Sequence, residues 1–218
     1  MKETNPHLDA LTDIKSMMEK SSRFISLSGL SGISAGLCAL IGAWFAHDII
    51  DNSRSTIFQL KGIATKAYTE NPEGLKAFMG TKLFYIGIAT FIAAFVLALF
   101  FTYLRSQKNN IPIWGTTARR LIINVSIPML VGGIYLLKLI ENGTYGLIAP
   151  GCLIFYGLAL VNASKYTLGE VRFLGYGQLI LGVISSWYIG YGLYFWAMGF
   201  GVLHIVYGFV MWWKYERN

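Results

Sequence analysis

The segment from Phe173 to Trp213, FLGYGQLILGVISSWYIGYGLYFWAMGFGVLHIVYGFVMWW, runs 41 residues without an Asp, Glu, Lys or Arg. At ~1.5 Å per helical residue such a run crosses a ~30 Å hydrocarbon core twice, with a turn near Gly190-Tyr191-Gly192. It reads as a membrane hairpin with His204 set deep inside its second arm.

The remainder of the chain agrees with that solvent. Of 218 residues 55% are hydrophobic and only 13% charged, too apolar for one soluble domain. The formal charge of +7 does not point to nucleic acid, because Lys and Arg sit between apolar runs and not on one basic face. Cys38 and Cys152 both fall in apolar stretches, so neither a disulfide framework nor a Cys-rich zinc site is indicated and both read as core thiols.

Outward from the hairpin, apolar runs predict six transmembrane helices in an all-α bundle, at about 24–46, 83–104, 121–140, 144–164, 173–190 and 193–213. Residues 1–23 precede them as an amphipathic arm, with Leu8, Leu11, Ile14, Met17 and Met18 at helical spacing among charges and Asn5-Pro6 as a start signal. The first span carries Gly32 and Gly36, a small-x-x-x-small pair that lets a neighbouring backbone approach closely, either within the chain or between copies. Between His47 and Lys82 the pattern reads as a polar connection, with a short helix around Ile57 and Leu60 and a capped start at Asn71-Pro72-Glu73. Pro128 reads as a break in the third span.

Topology follows from the basic residues. The stretch 105–120 holds Arg105, Lys108, Arg119 and Arg120 and no acid, a strong inside signal. With the amino terminus inside, 12 Lys and Arg fall inside and six outside, so both termini are predicted to be cytosolic. Trp187, Tyr188, Tyr191, Tyr194 and Trp196 collect at the outer turn, and Trp212, Trp213 and Tyr215 at the inner end, as interfacial belts do.

Two stripes hold the buried polar groups. Gly175, Gln178, Gly182 and Ser185 share one face of the fifth span, and Ala197, Gly201, His204, Gly208 and Met211 one face of the sixth. Gln178 and His204 therefore point at other helices, since lipid would leave their hydrogen bonds unmade. In an antiparallel hairpin they lie ~9 and ~15 Å from the inner boundary, close enough to meet. Asn124, Tyr156, Asn162 and Tyr207 complete a polar cluster in the inner half or near the middle of the membrane. The cluster has two readings, interhelical hydrogen-bond glue or a cytosol-facing pocket in which His204 binds a ligand or moves a proton. Gly32, Gly36, Gly182, Gly201 and Gly208 are the predicted helix-packing residues.

No chemistry-bearing motif accompanies this cluster. The spans lack paired carboxylates, H-E-x-x-H, a Gly-rich phosphate loop and a nucleophile elbow. His47 beside Asp48 is half of a metal site with no further ligand nearby, and His47 and His204 sit at different depths, which argues against a shared haem. No enzyme activity, metal or cofactor is expected, and no nucleic acid. Val161-Asn162-Ala163-Ser164-Lys165-Tyr166-Thr167-Leu168 and the run from Phe195 to Gly208 resemble segments of a family of small polytopic bacterial inner-membrane proteins with no known activity. That resemblance, mainly over the last third, implies a multi-pass protein of the bacterial cytoplasmic membrane and supplies no site residue. The functional expectation is an accessory, regulatory or interaction component that meets the bilayer, a cytosolic or membrane protein partner, or further copies of itself. The alternative is a small transporter or ligand sensor with a pocket around Gln178 and His204.

Overall fold

The computed structural model describes residues 28–60, 79–108 and 114–217, with backbone alone for 52–60. The described residues contain no strand. Their helices are α1 Gly29–Leu60, α2 Lys82–Lys108, α3 Thr116–Glu141, α4 Ile148–Ala163 after a 3-10 turn at Tyr145–Leu147, α5 Val171–Trp187 and α6 Gly192–Tyr215. The Ala197–Leu203 portion of α6 is π-helical. Five segments are long and apolar enough to cross a membrane: Gly29–Asp51, Lys82–Lys108, Thr116–Glu141, Tyr145–Ala163 and Gly192–Tyr215. Helix α5 has 17 residues, the short edge of the ~17–25 that span a bilayer.

The helices pack as a row. α1 lies between α2 and α6, α4 and α5 pair on the far side of α6, and α3 rests on α4. Small residues set each contact, because apolar side chains gain little from leaving lipid and backbones must therefore come close. Gly29, Gly32 and Gly36 of α1 meet α6 at Gly208 and Gly201. A Cβ at Gly208 would lie 2.5 Å from the Gly29 carbonyl oxygen and 2.6 Å from Ile33 N. Gly157 and Gly175 join α4 to α5 in the same way, each leaving a Cβ only 2.9 or 3.0 Å from the other's carbonyl oxygen. Gly182 packs on Ile154, Gly42 on Thr90, and Gly132 on the Phe155 ring. Phe91, Phe95 and Leu99 of α2 and Leu130 and Ile134 of α3 remain exposed, an apolar surface suited to acyl chains.

Three sequence boundaries are corrected. The first helix does not end at 46 but runs to Leu60, because nothing between Gly42 and Gly62 breaks a helix once the apolar run ends. His47, Asp48 and Asp51 therefore stand on a helix flank, and Ile57 and Leu60 continue α1 and form no separate helix. Arg105 belongs to α2 and is buried, while Arg119 and Arg120 lie in the first turns of α3. Pro128 is accommodated inside a continuous α3. The arm at 1–23 and the cap signal at Asn71-Pro72-Glu73 lie outside the described residues.

The contacts sort the helix ends into two groups. Ser28, Arg105, Glu170, Lys214 and Glu216 come together at one end, and antiparallel pairing of α3 with α4 brings Arg119 and Arg120 to that end too. His47 meets Tyr194, and Gly146 meets Ile189, at the other.

Candidate functional site

The π-helical turn of α6 organises the core polar groups. Gly199 and Gly201 are both buried within it, though only two residues apart. Gly199 faces Leu153 and Gln178, whereas Gly201 faces Leu40 of α1. One widened turn thus lets α6 present glycine to neighbours on both sides, a feature that often marks functional positions.

His204 follows at the next turn. Its Nδ1 lies 3.0 Å from the Gly199 carbonyl oxygen and its Nε2 lies 2.9 Å from the Tyr156 hydroxyl. A carbonyl only accepts, so Nδ1 carries the proton, and in the neutral ring Nε2 then accepts from the Tyr156 hydroxyl. Both ring nitrogens are then satisfied by a neutral imidazole. Gln178 Nε2 donates to the same Gly199 oxygen at 2.8 Å. Its 3.5 Å approach to His204 Nδ1 joins two donors, so Gln178 and His204 meet through a carbonyl that both share and not by a direct hydrogen bond. The Tyr156 ring stacks on His204 with centroids 5.5 Å apart, and Phe200 adjoins both rings, 6.0 Å from His204 and 5.1 Å from Tyr156.

The site is closed. Gln178 and Ser185 have 0% exposure and His204 has 7%. Two hollows among the described residues lie elsewhere, one lined by Cys38, Gly42, Phe45 and Thr90 between α1 and α2, the other by His47, Asp51 and Tyr194. Gln178 Oε1 and Ser185 Oγ find no partner among the described residues.

The other predicted members do not join this network. Asn124 turns back on its own helix and donates to the Arg120 carbonyl. Asn162 receives the Lys165 ammonium at 3.5 Å. The Tyr207 hydroxyl is buried without a hydrogen-bond partner among the described residues. No group of His, Cys, Asp and Glu among the described residues has metal-binding geometry.

A second polar cluster escaped the sequence reading. Glu216 accepts from Arg105 Nη1 at 2.6 Å, from Gly29 N at 2.5 Å and from Ser28 Oγ at 3.2 Å. One carboxylate thereby caps the start of α1, neutralises the end of α2 and anchors the end of α6. Beside it, Glu170 accepts from Lys214 and from Tyr215. Partial burial pushes the Glu170 carboxyl up, but these hydrogen bonds, its own backbone contact and the Lys214 charge outweigh that effect and hold it below the usual carboxylate range.

The fold and these clusters define a helical protein with five membrane-length helices and a buried polar cluster at its centre. Set against family models, curated proteins and solved structures, the chain finds no match.

Proposed function

We propose that this chain is a six-span integral protein of the bacterial cytoplasmic membrane, non-enzymatic, with an accessory, regulatory or interaction role. Helix α5 is the sixth span. Its pairing with α4 through Gly157, Gly175 and Gly182 runs along its length, and 17 residues reach ~25 Å. The basic end is cytosolic by the positive-inside rule, which puts both termini in the cytosol, where the arm and this end meet a partner.

The observation that carries the reading is the closed His204 network. Glue needs a satisfied imidazole with no route for solvent to it, whereas a transporter or sensor needs a cavity at Gln178 and His204. Satisfaction of both imidazole nitrogens supports glue. The second reading, a small transporter or ligand sensor, draws support from the π turn beside the unpartnered Gln178 Oε1.

Ser185→Cys, a near-isosteric swap at a fully buried position, separates the two once Cys38 and Cys152 are replaced by Ser. A small membrane-permeant thiol reagent should leave this cysteine unmodified in the native protein. Rapid modification would favour the cavity.

A further inference from the structure

We propose that the basic end of the bundle binds the phosphate groups of anionic phospholipids, with Arg172 and Arg217 as the principal ligands. Among the described residues this end carries Arg105, Lys108, Arg119, Arg120, Lys165, Arg172, Lys214 and Arg217 against only Glu170 and Glu216. Both carboxylates are already engaged, Glu216 by Arg105, Ser28 and Gly29, and Glu170 by Lys214 and Tyr215. The arm at 1–23 brings four basic and four acidic residues, so its composition does not offset the excess.

Two of the remaining cations are held in a particular way. The Arg217 guanidinium carbon lies 4.0 Å from the Trp213 ring centroid, and that of Arg172 lies 5.6 Å from the Phe173 ring. Both rings are exposed on the outside of the bundle, Trp213 at 55% and Phe173 at 65%, where aromatic side chains sit at headgroup depth. A guanidinium resting on a ring keeps its N–H groups free at the edge, and that planar fork matches phosphate oxygens in pairs. Glu170 lies two residues before Arg172 and binds Lys214, three residues before Arg217, so the two arginines flank one ion-paired knot. The opposite end has no comparable excess among the described residues, with Asp48, Asp51 and Glu141 against Lys82 and Lys138, the last engaged by Glu141. This inference rests on the membrane reading and not on which end is cytosolic.

The test is native mass spectrometry of the full chain in detergent, titrated with phosphatidylglycerol or phosphatidylcholine. The natural chain should bind phosphatidylglycerol in preference to phosphatidylcholine. R172Q and R217Q should each weaken binding about fivefold, and the R172Q/R217Q pair about twenty-five-fold. K82Q/K138Q, at the other end, should bind as the natural chain does, and excess inorganic phosphate should not displace the lipid. The single variants preserve the test if the double variant does not fold. Unchanged phosphatidylglycerol binding in folded R172Q and R217Q, equal binding of phosphatidylcholine, or displacement by free phosphate would overturn the proposal.

Discussion

Tyr156 on α4 donates to Nε2 of His204 on α6 across 2.9 Å, while Nδ1 of the same ring donates to the Gly199 carbonyl. The imidazole thereby joins the two helices, and in the proposed structural role it fixes their register. Tyr156→Phe and His204→Leu should each cost about 0.6–1.7 kcal/mol, the range of interhelical hydrogen bonds in membranes. The double variant should cost less than their sum, because each single variant strands the other's polar group and the double variant does not. Thermal melting of the three purified proteins in one detergent checks the coupling, and strict additivity would disprove the lock.

Glycine contacts should be felt unequally. Gly208→Ala drives a Cβ to 2.5 Å from the Gly29 carbonyl oxygen, where backbone on both sides has to move, and should destabilise by about 1–3 kcal/mol. Gly87→Ala meets nothing within 4 Å and should change stability by no more than about 0.5 kcal/mol. The paired melting curves decide whether α1 and α6 touch as described.

Glu216 ties three helix ends together with four donor contacts. Glu216→Ala should destabilise by about 3 kcal/mol, since it leaves Arg105, at 9% side-chain exposure, without its carboxylate. Replacing both, as Arg105→Met with Glu216→Leu, should recover part of that loss. Denaturation in the same detergent measures the difference.

Glu170 gives the basic end a pH dependence. Its carboxyl is held below the usual range, so the unfolded chain binds a proton more readily than the native one. The resulting stability is present in full above the ordinary carboxylate value near ~4.3 and disappears as pH falls through the lower native value. Glu170→Gln should flatten that acidic limb and leave the curve near neutrality parallel to the natural one. A limb of unchanged slope would show that Glu170 does not contribute.

The helical pair α5 and α6 was legible because absence of charge over 41 residues is a property of composition alone. The α5 stripe was legible as well, since Gly175, Gln178, Gly182 and Ser185 keep an undistorted helical period and all four are buried. The π turn was not, because Ala197, Gly201 and His204 fit a regular helix equally well and a widened turn leaves no residue-type signature. Nor was the acceptor that joins Gln178 to His204, which is a backbone carbonyl at Gly199. Arg105 was misplaced by a sound rule, in that a cation ends an apolar run, yet here its carboxylate stands 111 residues away at Glu216. Patterns within one helix see neither partner.

A six-span protein with its basic end in the cytosol requires α5 to cross the membrane. Gly169 and Tyr188 flank that helix, both exposed, with open space around Gly169 and 59% exposure at Tyr188. In a background with Cys38 and Cys152 replaced by Ser, Gly169→Cys and Tyr188→Cys should be probed in intact bacterial cells with a membrane-impermeant maleimide. Tyr188→Cys should be labelled from outside, and Gly169→Cys only after the membrane is breached. Labelling of both from one side would remove α5 as a span, and labelling of Gly169→Cys alone from outside would invert the topology.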